Sequence, residues 1–292
     1  MKITEKFGKK PLISFEIFPP KKTGDIKTVY RTIDELACLN PDYISVTYGA
    51  TGSSAGSISF EISSAIQNKY KIDSLAHITS INTKKSDMQS IAEKLISENI
   101  ENVLALRGDS APENIKNDFT YASDLVDYFR KNYNFCIGAA GYPEGHIESR
   151  NKSLDLYYLE KKVKTGVDFL ITQLFFDNSF FYDFYGKLKN RNINIPVQAG
   201  IMPVTNKNQI EKITSLCGSF IPEKFIKIMT KYENNKEALT DAGIAYATDQ
   251  IIDLISSGVS GIHLYVMNKP YVAKKIVKNI SSVLNYFDEK NL

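Results

Sequence analysis

Eight short runs of apolar, β-branched and aromatic residues recur along the chain, and a segment with helical spacing follows most of them. In those segments apolar residues recur at i, i+3 and i+4, as at Leu125, Val126 and Phe129. Strands that alternate with helices predict βαβ units and therefore a parallel sheet. The eight runs span residues 12–18, 43–48, 74–79, 102–106, 135–140, 169–175, 196–201 and 261–266.

The runs are nearly continuous in apolar residues, which is typical of strands buried on both faces, as in a closed barrel. An open doubly wound sheet is the alternative, but FEIFPPKKTG follows the start of the first run where a dinucleotide fold would carry GxGxxG. We therefore predict an α/β fold, a (β/α)₈ barrel, as one domain over residues 1–292. The long interval between the last two runs has room for extra helices at 207–217, 222–231 and 236–257. Pro222 would lie in the first turn of the middle helix, and Gly218 and Gly258 would end their helices.

Composition narrows the function classes. The 36 Lys and Arg against 33 Asp and Glu give a net charge of +3, too small to argue for a nucleic-acid partner. The three cysteines lie far apart, and the three histidines form no HxH or HExxH spacing, so we expect neither a disulfide framework nor a metal site. We find no apolar run of about 18 residues and no signal peptide, and we expect a soluble, cytoplasmic protein with no membrane partner.

Polar residues cluster where the predicted strands end, which is where parallel barrels carry their chemistry. Glu16 lies among aromatic residues in SFEIFPP and is either an ion-pair partner of a lysine at the barrel rim or a proton donor. Arg107 opens the tripeptide RGD, which suits a turn or an internal ion pair. His77 is typical of a core histidine, and His146 of an exposed loop. Gln173 needs hydrogen-bond partners, because its amide lies in a buried apolar run.

An ordered series of motifs extends over most of the chain. It comprises SFEIFPPK, ISVTYGA, AHITS, LALRGD, YASDLV, GYPEGHIES, KVKTGVDFLITQLFFD and AGIMPVTN, and with YVMNK it covers residues from about 12 to 269. In this order the motifs closely resemble those of the methylenetetrahydrofolate reductase family, the flavoproteins of one-carbon metabolism.

The resemblance implies a barrel that holds FAD at the carboxyl ends of its strands and NADH or NADPH as reductant. It also implies a ping-pong reduction of 5,10-methylenetetrahydrofolate to 5-methyltetrahydrofolate, which supplies methyl groups for methionine synthesis. Glu16 matches the family's general acid, which protonates the nitrogen that departs when the folate's methylene bridge opens. Asp109 matches an acid beside the flavin that also contacts the folate.

The same resemblance assigns binding residues. Gln173, Gln209 and Lys269 match folate contacts, although Lys269 replaces the arginine expected there. Tyr158, Lys161 and Ser149 also depart from the residues common in the bacterial family, which puts the details of phosphate binding in doubt. The cofactor-binding positions are Thr47, Tyr48, Ala50, His77, Arg107, Gly108, Asp109, Ala122, Tyr142, His146, Ser149, Asp155, Tyr158, Lys161 and Lys162, with Thr47 on the nicotinamide side.

The resemblance further implies a short bacterial type of the enzyme, without a regulatory domain, that forms a homotetramer. The sequence leaves open whether NADH, NADPH or an electron-donor protein reduces the flavin. Two alternatives to the reductase remain at this stage. One is a flavin-free barrel enzyme such as an aldolase or lyase, and the other is a barrel that only scaffolds a partner. No lysine inside a strand run suggests a Schiff base, which counts against the former.

Overall fold

The computed structural model describes residues 1–20, 25–48, 52–81, 83–108 and 118–290. Within them eight parallel strands form a closed barrel in chain order, and β8 pairs with β1. The predicted (β/α)₈ barrel is confirmed. The strands are β1 Leu12–Ile17, β2 Tyr43–Val46, β3 Asp73–Thr79, β4 Asn102–Leu106, β5 Cys136–Gly141, β6 Phe169–Thr172, β7 Val197–Ile201 and β8 Gly261–Tyr265.

Helices cover the outside of the barrel. In chain order they are α1 Ile26–Ala37, α2 Gly52–Ser64, α3 Lys85–Ser97, α4 Ala122–Asn132, α5 Lys152–Lys164, α6 Asn178–Asn190, α7 Lys207–Cys217, α8 Glu223–Tyr232, α9 Lys236–Ser256 and α10 Pro270–Lys290. No helix among the described residues combines the length and the apolar content needed to cross a membrane.

Three helices separate β7 from β8, as the length of that interval predicts. Gly218 ends α7 in the left-handed conformation (φ 71°), and Gly258 follows α9 with φ 82°. The middle helix differs slightly from the prediction, because Pro222 is the N-cap of α8 with an extended ψ of 145° and the helix begins at Glu223. These three helices bury a satellite apolar cluster in which the rings of Phe176 and Phe225 lie 5.3 Å apart.

The sixth apolar run is longer than the strand it contains. β6 ends at Thr172, and the next residues leave the sheet. Phe175 and Phe176 are buried, so the packing role of these rings explains why the run continues past the strand.

The inside of the barrel is apolar at its amino-terminal end and polar at its carboxyl end. Around the strand starts, Leu12, Leu75 and Phe169 pack with Ile3 from a short 3₁₀ helix, Ile3–Lys6, that closes the barrel below. The Asn102 side chain holds this plug, accepting a hydrogen bond from the Ile3 N–H (2.8 Å) and donating one to the Met1 carbonyl (3.1 Å). The polar residues therefore meet at the opposite, open end.

Candidate active site

Glu16 lies on the inner wall of β1, one residue before the strand ends, and its side chain is 10% exposed. Its Oε2 atom is 3.6 Å from Nε2 of His77 on β3 and 3.7 Å from Nε2 of His263 on β8. Among the described residues its ion-pair neighbours are thus histidines, and no lysine of that part of the chain pairs with it. A carboxyl between two imidazoles is an acid surrounded by groups that can exchange a proton.

His77 is buried, and its Nε2 atom has no hydrogen-bond partner among the described residues. Burial lowers the pKa of His77 to about 4, although the nearby Glu16 carboxylate opposes this shift and His263 adds to it. His77 is therefore neutral at physiological pH. An orphaned ring nitrogen at the mouth of the barrel is available to a bound ligand.

A second group of side chains surrounds the start of α5. The rings of Tyr142, just after β5, and His146 meet edge to face with centroids 4.6 Å apart. His146 is half-buried rather than exposed, because this contact covers it. Its backbone hydrogen-bonds the carboxylate of Asp155, whose pKa is raised by burial and lowered by His146 and Lys162.

Lys162 is the least solvated cation of this group. Its ammonium donates a 2.7 Å hydrogen bond to the carbonyl of Ala140 on β5. Burial lowers the pKa of Lys162 to about 8, and the charge of Asp155 only partly offsets the desolvation. Burial also raises the pKa of Tyr142 to about 12, so the phenol stays neutral. The group at the start of α5 therefore provides a cation (Lys162), a hydrogen-bond acceptor (Asp155) and an aromatic ring (Tyr142).

Arg107, directly after β4, forms a bidentate ion pair with Glu148 of the β5–α5 loop, with N–O distances of 2.5 and 2.8 Å. The sequence left an internal ion pair open for this residue, and the structure shows one. Both side chains are partly exposed, at 31% and 49%, so a polar ligand can compete for the guanidinium.

A shallow cleft at the end of β8 holds two of the predicted folate residues. Gln209, in the first turn of α7, and Lys269, just after β8, line it together with Thr205. The Lys269 ammonium donates to the Thr205 hydroxyl, and burial lowers the pKa of Lys269, with a further decrease from Lys236. Tyr265 also lines this cleft, and burial raises its pKa, with smaller contributions from Glu16 and Tyr142.

The remaining predicted positions are placed as follows. Thr47 and Tyr48 follow β2, Gly108 follows Arg107, and Ala122 opens α4. Gln173 follows β6, and its Oε1 accepts a 2.9 Å bond from the next backbone N–H, which partly supplies the expected partners. Ser149 donates to the carbonyl of Asn151, 3.0 Å away. Ala50 and Asp109 lie outside the described residues.

Tyr158 and Lys161 on α5 are not brought together with these groups. The Tyr158 side chain is 58% exposed, and the Lys161 ammonium lies 4.4 Å from the ring centroid of Tyr157. Their assignment to the cofactor stays a prediction from the resemblance.

Sequence reasoning missed His263, Ser14 and Tyr265. One signal was present: Ser14 and Glu16 on β1, and His263 and Tyr265 on β8, occupy alternate positions and therefore share the inner face of their strands. Their contact needs the β1–β8 pairing that closes the barrel, in which Ser14 lies opposite His263 and Glu16 opposite Tyr265.

Comparison with known proteins shows which family the sequence resembles. The sequence model described as methylenetetrahydrofolate reductase matches residues 2–281. The chain is 32% identical over 278 residues to 5,10-methylenetetrahydrofolate reductase of Buchnera aphidicola, covering 95% of this chain and 92% of that protein. Its identity to the Pectobacterium carotovorum protein of the same name is 31%, covering 88% and 86%.

Plant and structural relatives complete the comparison. The chain is 33% identical to methylenetetrahydrofolate reductase (NADH) 1 of Arabidopsis thaliana over 286 residues, and spans about half (48%) of that protein's length. A solved protein from Clostridium thermocellum that binds two copies of 5-methyl-5,6,7,8-tetrahydrofolic acid shares the fold. Its TM-score is 0.64 at 15% identity, covering 97% of this chain and 98% of that one. By the match of the family model over nearly its whole length, this chain belongs to the methylenetetrahydrofolate reductase family.

Proposed function

We propose that this protein reduces 5,10-methylenetetrahydrofolate to 5-methyltetrahydrofolate, using FAD held at the barrel mouth and NADH or NADPH as reductant. The observation that carries the proposal is the buried Glu16 carboxyl at the carboxyl end of β1, in a chain of this family. The named reductases among its relatives, and the folate bound by its structural neighbour, support the same substrate class.

The side chains present fit FAD. Its pyrophosphate needs cations. Arg107 follows β4, and the ammonium of Lys162 on α5 lies beside the neighbouring strand β5. Its ribose and adenine carry hydrogen-bond donors, and the carboxylate of Asp155 can accept hydrogen bonds from them. His77 contributes a buried ring nitrogen without a partner, which a flavin edge would satisfy. When bound, FAD would supply the hydride-transfer chemistry between the reduced nicotinamide and the folate, and these side chains would hold and orient it.

Glu16 would act on the folate alone. The bond between the bridging carbon and the departing nitrogen breaks as that nitrogen takes the proton from Glu16, which leaves a 5-iminium cation on the folate. The Glu16 carboxyl is buried at the carboxyl end of β1 among apolar strand residues and two imidazoles, which shields the proton transfer from bulk water. The carboxylate that remains lies near the cation it created, and opposite charges in such a low-dielectric site attract strongly.

The cleft of Gln209 and Lys269 would hold the distal part of the folate, where an ammonium suits the carboxylates of its glutamate tail. Gln173, at the end of β6, would face the reacting ring, and Asp109 would lie beside the flavin as the resemblance implies. The homotetramer is a further proposal, which sedimentation velocity of the purified protein would test.

Glu16→Gln tests the proposal, because glutamine keeps the size of the side chain but has no acidic proton. We expect this variant to bind FAD and to bleach with NADH or NADPH at a rate near that of the native protein. Hydride transfer to methylenetetrahydrofolate should then fall by about 10²–10⁴-fold, the usual contribution of a general acid. Anaerobic stopped-flow measurement of both half-reactions on one preparation decides; equal loss in both, or loss in neither, contradicts the role of Glu16.

A visible absorption spectrum tests the flavin itself. Oxidised flavin gives a yellow protein. A protein that remains colourless after incubation with FAD and removal of free flavin would favour a flavin-free enzyme or a scaffold instead.

A further inference from the structure

A buried polar layer lies directly beneath Glu16, and the proposed function leaves it unused. It consists of Ser14, Ser45 and His263, each 0% exposed inside the barrel. Oγ of Ser14 is 2.7 Å from Nδ1 of His263, and Oγ of Ser45 is 3.3 Å from Nε2 of the same ring. A fully buried imidazole with partners at both nitrogens has one fixed orientation, and its Nε2 edge is aimed toward Glu16, 3.7 Å away.

The hydroxyl of Ser14 determines which nitrogen of His263 carries the proton. Its Oγ atom lies 2.7 Å from Nδ1 and 3.4 Å from the Ile262 carbonyl, and it also has a hydrogen bond with the Tyr43 hydroxyl. The 2.7 Å contact is a good hydrogen bond in either direction, and the direction in which Ser14 donates to Nδ1 is the one that turns an N–H toward Glu16. A neutral imidazole that accepts at Nδ1 carries its proton on Nε2, so the N–H points at Ser45 and at the Glu16 carboxyl.

We propose that Ser14 and His263 are positioning residues that stabilise the carboxylate left behind when Glu16 gives up its proton. Ser14 fixes the tautomer of His263, and the Nε2–H of His263 provides the positive end of a dipole beside Oε2 of Glu16. The stabilisation increases when the proton leaves, because a dipole 3.7 Å away attracts a charged carboxylate more strongly than a neutral acid. The inference rests on the proposed role of Glu16 and adds two residues to it.

The other titratable groups that face Glu16 do not supply a competing charge. From the described elements these are His77 on β3, Tyr43 on β2 and Tyr265 on β8. Burial lowers the pKa of His77 to about 4, and burial raises the pKa of both tyrosines, so all three are neutral near pH 7. The N–H dipole of His263 is therefore the main group of the buried layer that can stabilise the ionised carboxylate of Glu16.

Kinetics of the folate half-reaction against pH provide the first test, with Ser14→Ala and His263→Asn. Loss of the dipole makes Glu16 a weaker acid. We expect hydride transfer to the folate to slow roughly tenfold, the effect of losing the attraction of one nearby dipole in a buried site. Its alkaline limb should move to higher pH by about one unit. Flavin reduction by NADH should stay near the native rate. Damage to packing alone would lower rates without moving the limb upward.

Ser74→Ala is the matched control. Ser74 is also a fully buried serine of the barrel, on β3, and its hydroxyl has no hydrogen-bond partner among the described residues. The substitution removes the same atom but leaves His263 untouched, so both half-reactions should keep the native pH profile. A shift in Ser74→Ala equal to that in Ser14→Ala would overturn the inference.

Nitrogen-15 NMR of histidine-labelled protein provides a test that does not depend on activity. The chain has three histidines, and spectra of His146→Gln and His263→Asn assign their signals. In the native protein we expect the proton of His263 on Nε2, with Nδ1 as an acceptor, and Glu16→Gln to shift the Nε2 signal. A proton found on Nδ1, or a His263 spectrum unaffected by Glu16→Gln, would refute the proposed arrangement.

The outcomes separate this inference from the proposed function. If Glu16→Gln transfers hydride to the folate at the native rate, the role of Glu16 in the reaction fails. If Glu16→Gln stops that step while Ser14→Ala and His263→Asn keep the native pH profile, only the inference about the buried layer fails.

Discussion

Lys162 should make FAD binding depend on pH. Burial lowers the pKa of Lys162 from 10.5 to about 8, because the ammonium exchanges water for one carbonyl and a nearby carboxylate. A pKa lowered from 10.5 to about 8 corresponds to roughly 3 kcal/mol, the upper bound on what burying this charge costs the folded protein. The cost is present below pH 8 and disappears as the pH rises through 10.5, where the unfolded chain also loses the proton.

An anionic ligand beside Lys162 reverses the effect of burial. A phosphate of FAD would favour the charged ammonium and raise its pKa in the complex. Below pH 8 the free protein already holds this proton, so the dissociation constant for FAD should be nearly constant there. Above pH 8 binding must take up a proton, and the dissociation constant should increase by up to about tenfold per pH unit.

Titration of FAD fluorescence with apoprotein from about pH 6.5 to about pH 9 measures this slope, since the range brackets the value near 8. Lys162→Arg is the control, because a guanidinium stays charged throughout and should give a flat profile. Lys162→Met should weaken FAD binding and yet increase the free energy of unfolding of the apoprotein at pH 7 by about 1–3 kcal/mol. A native profile that is flat, or a Lys162→Met protein that is less stable, would refute the desolvation argument.

Three further predictions concern stability and the folate. Asn102→Ala should lower the free energy of unfolding in urea by about 1–3 kcal/mol, because the buried N–H of Ile3 loses its acceptor. Gly243→Ala should lower the free energy of unfolding by about 3 kcal/mol or more in the same assay, because a Cβ there would lie 1.8 Å from a backbone oxygen. Gly186→Ala is the control: its Cβ would meet no atom within 4 Å, so the substitution should not destabilise α6. Lys269→Ala should raise the KM for methylenetetrahydrofolate while flavin reduction by NADH is unchanged; slower flavin reduction at an unaltered KM would contradict the folate assignment.

Local periodicity made most of the fold predictable. Each strand is a short apolar run whose residues are buried on both faces, and all eight lie within two or three residues of their expected bounds. Helix ends that depend on a left-handed glycine, such as Gly218, were also predictable, because few other residues adopt that backbone. The start of α8 was misplaced by one residue, since proline is compatible with both the N-cap and the first turn.

The contacts of the site were less predictable, because they depend on closure of the barrel. Ser14 and His263 are 249 residues apart, and they meet only because β8 pairs with β1. The pairing of Arg107 with Glu148 likewise needs the β5–α5 loop to fold back over the end of β4. Sequence reasoning identified Glu16 by its unusual place in an apolar strand, but it left open whether a lysine pairs with that carboxyl. It did not find the two histidine neighbours, because histidines so distant in sequence form no pattern.

The closing seam of the barrel also explains how residues from the two ends of the chain can share one site. Met267 and Asn268 both adopt left-handed φ angles, 50° and 54°, a conformation that costs about 1 kcal/mol or more per residue outside glycine. The Asn268 side chain offsets that strain, since its amide accepts from the Phe18 N–H and donates to the Phe18 carbonyl, both at 2.9 Å. This double hydrogen bond joins the end of β8 to the end of β1. Glu16 lies two residues before one side of the joint and Lys269 one residue after the other, so the proposed proton donor and the proposed folate contact are fixed in the same frame.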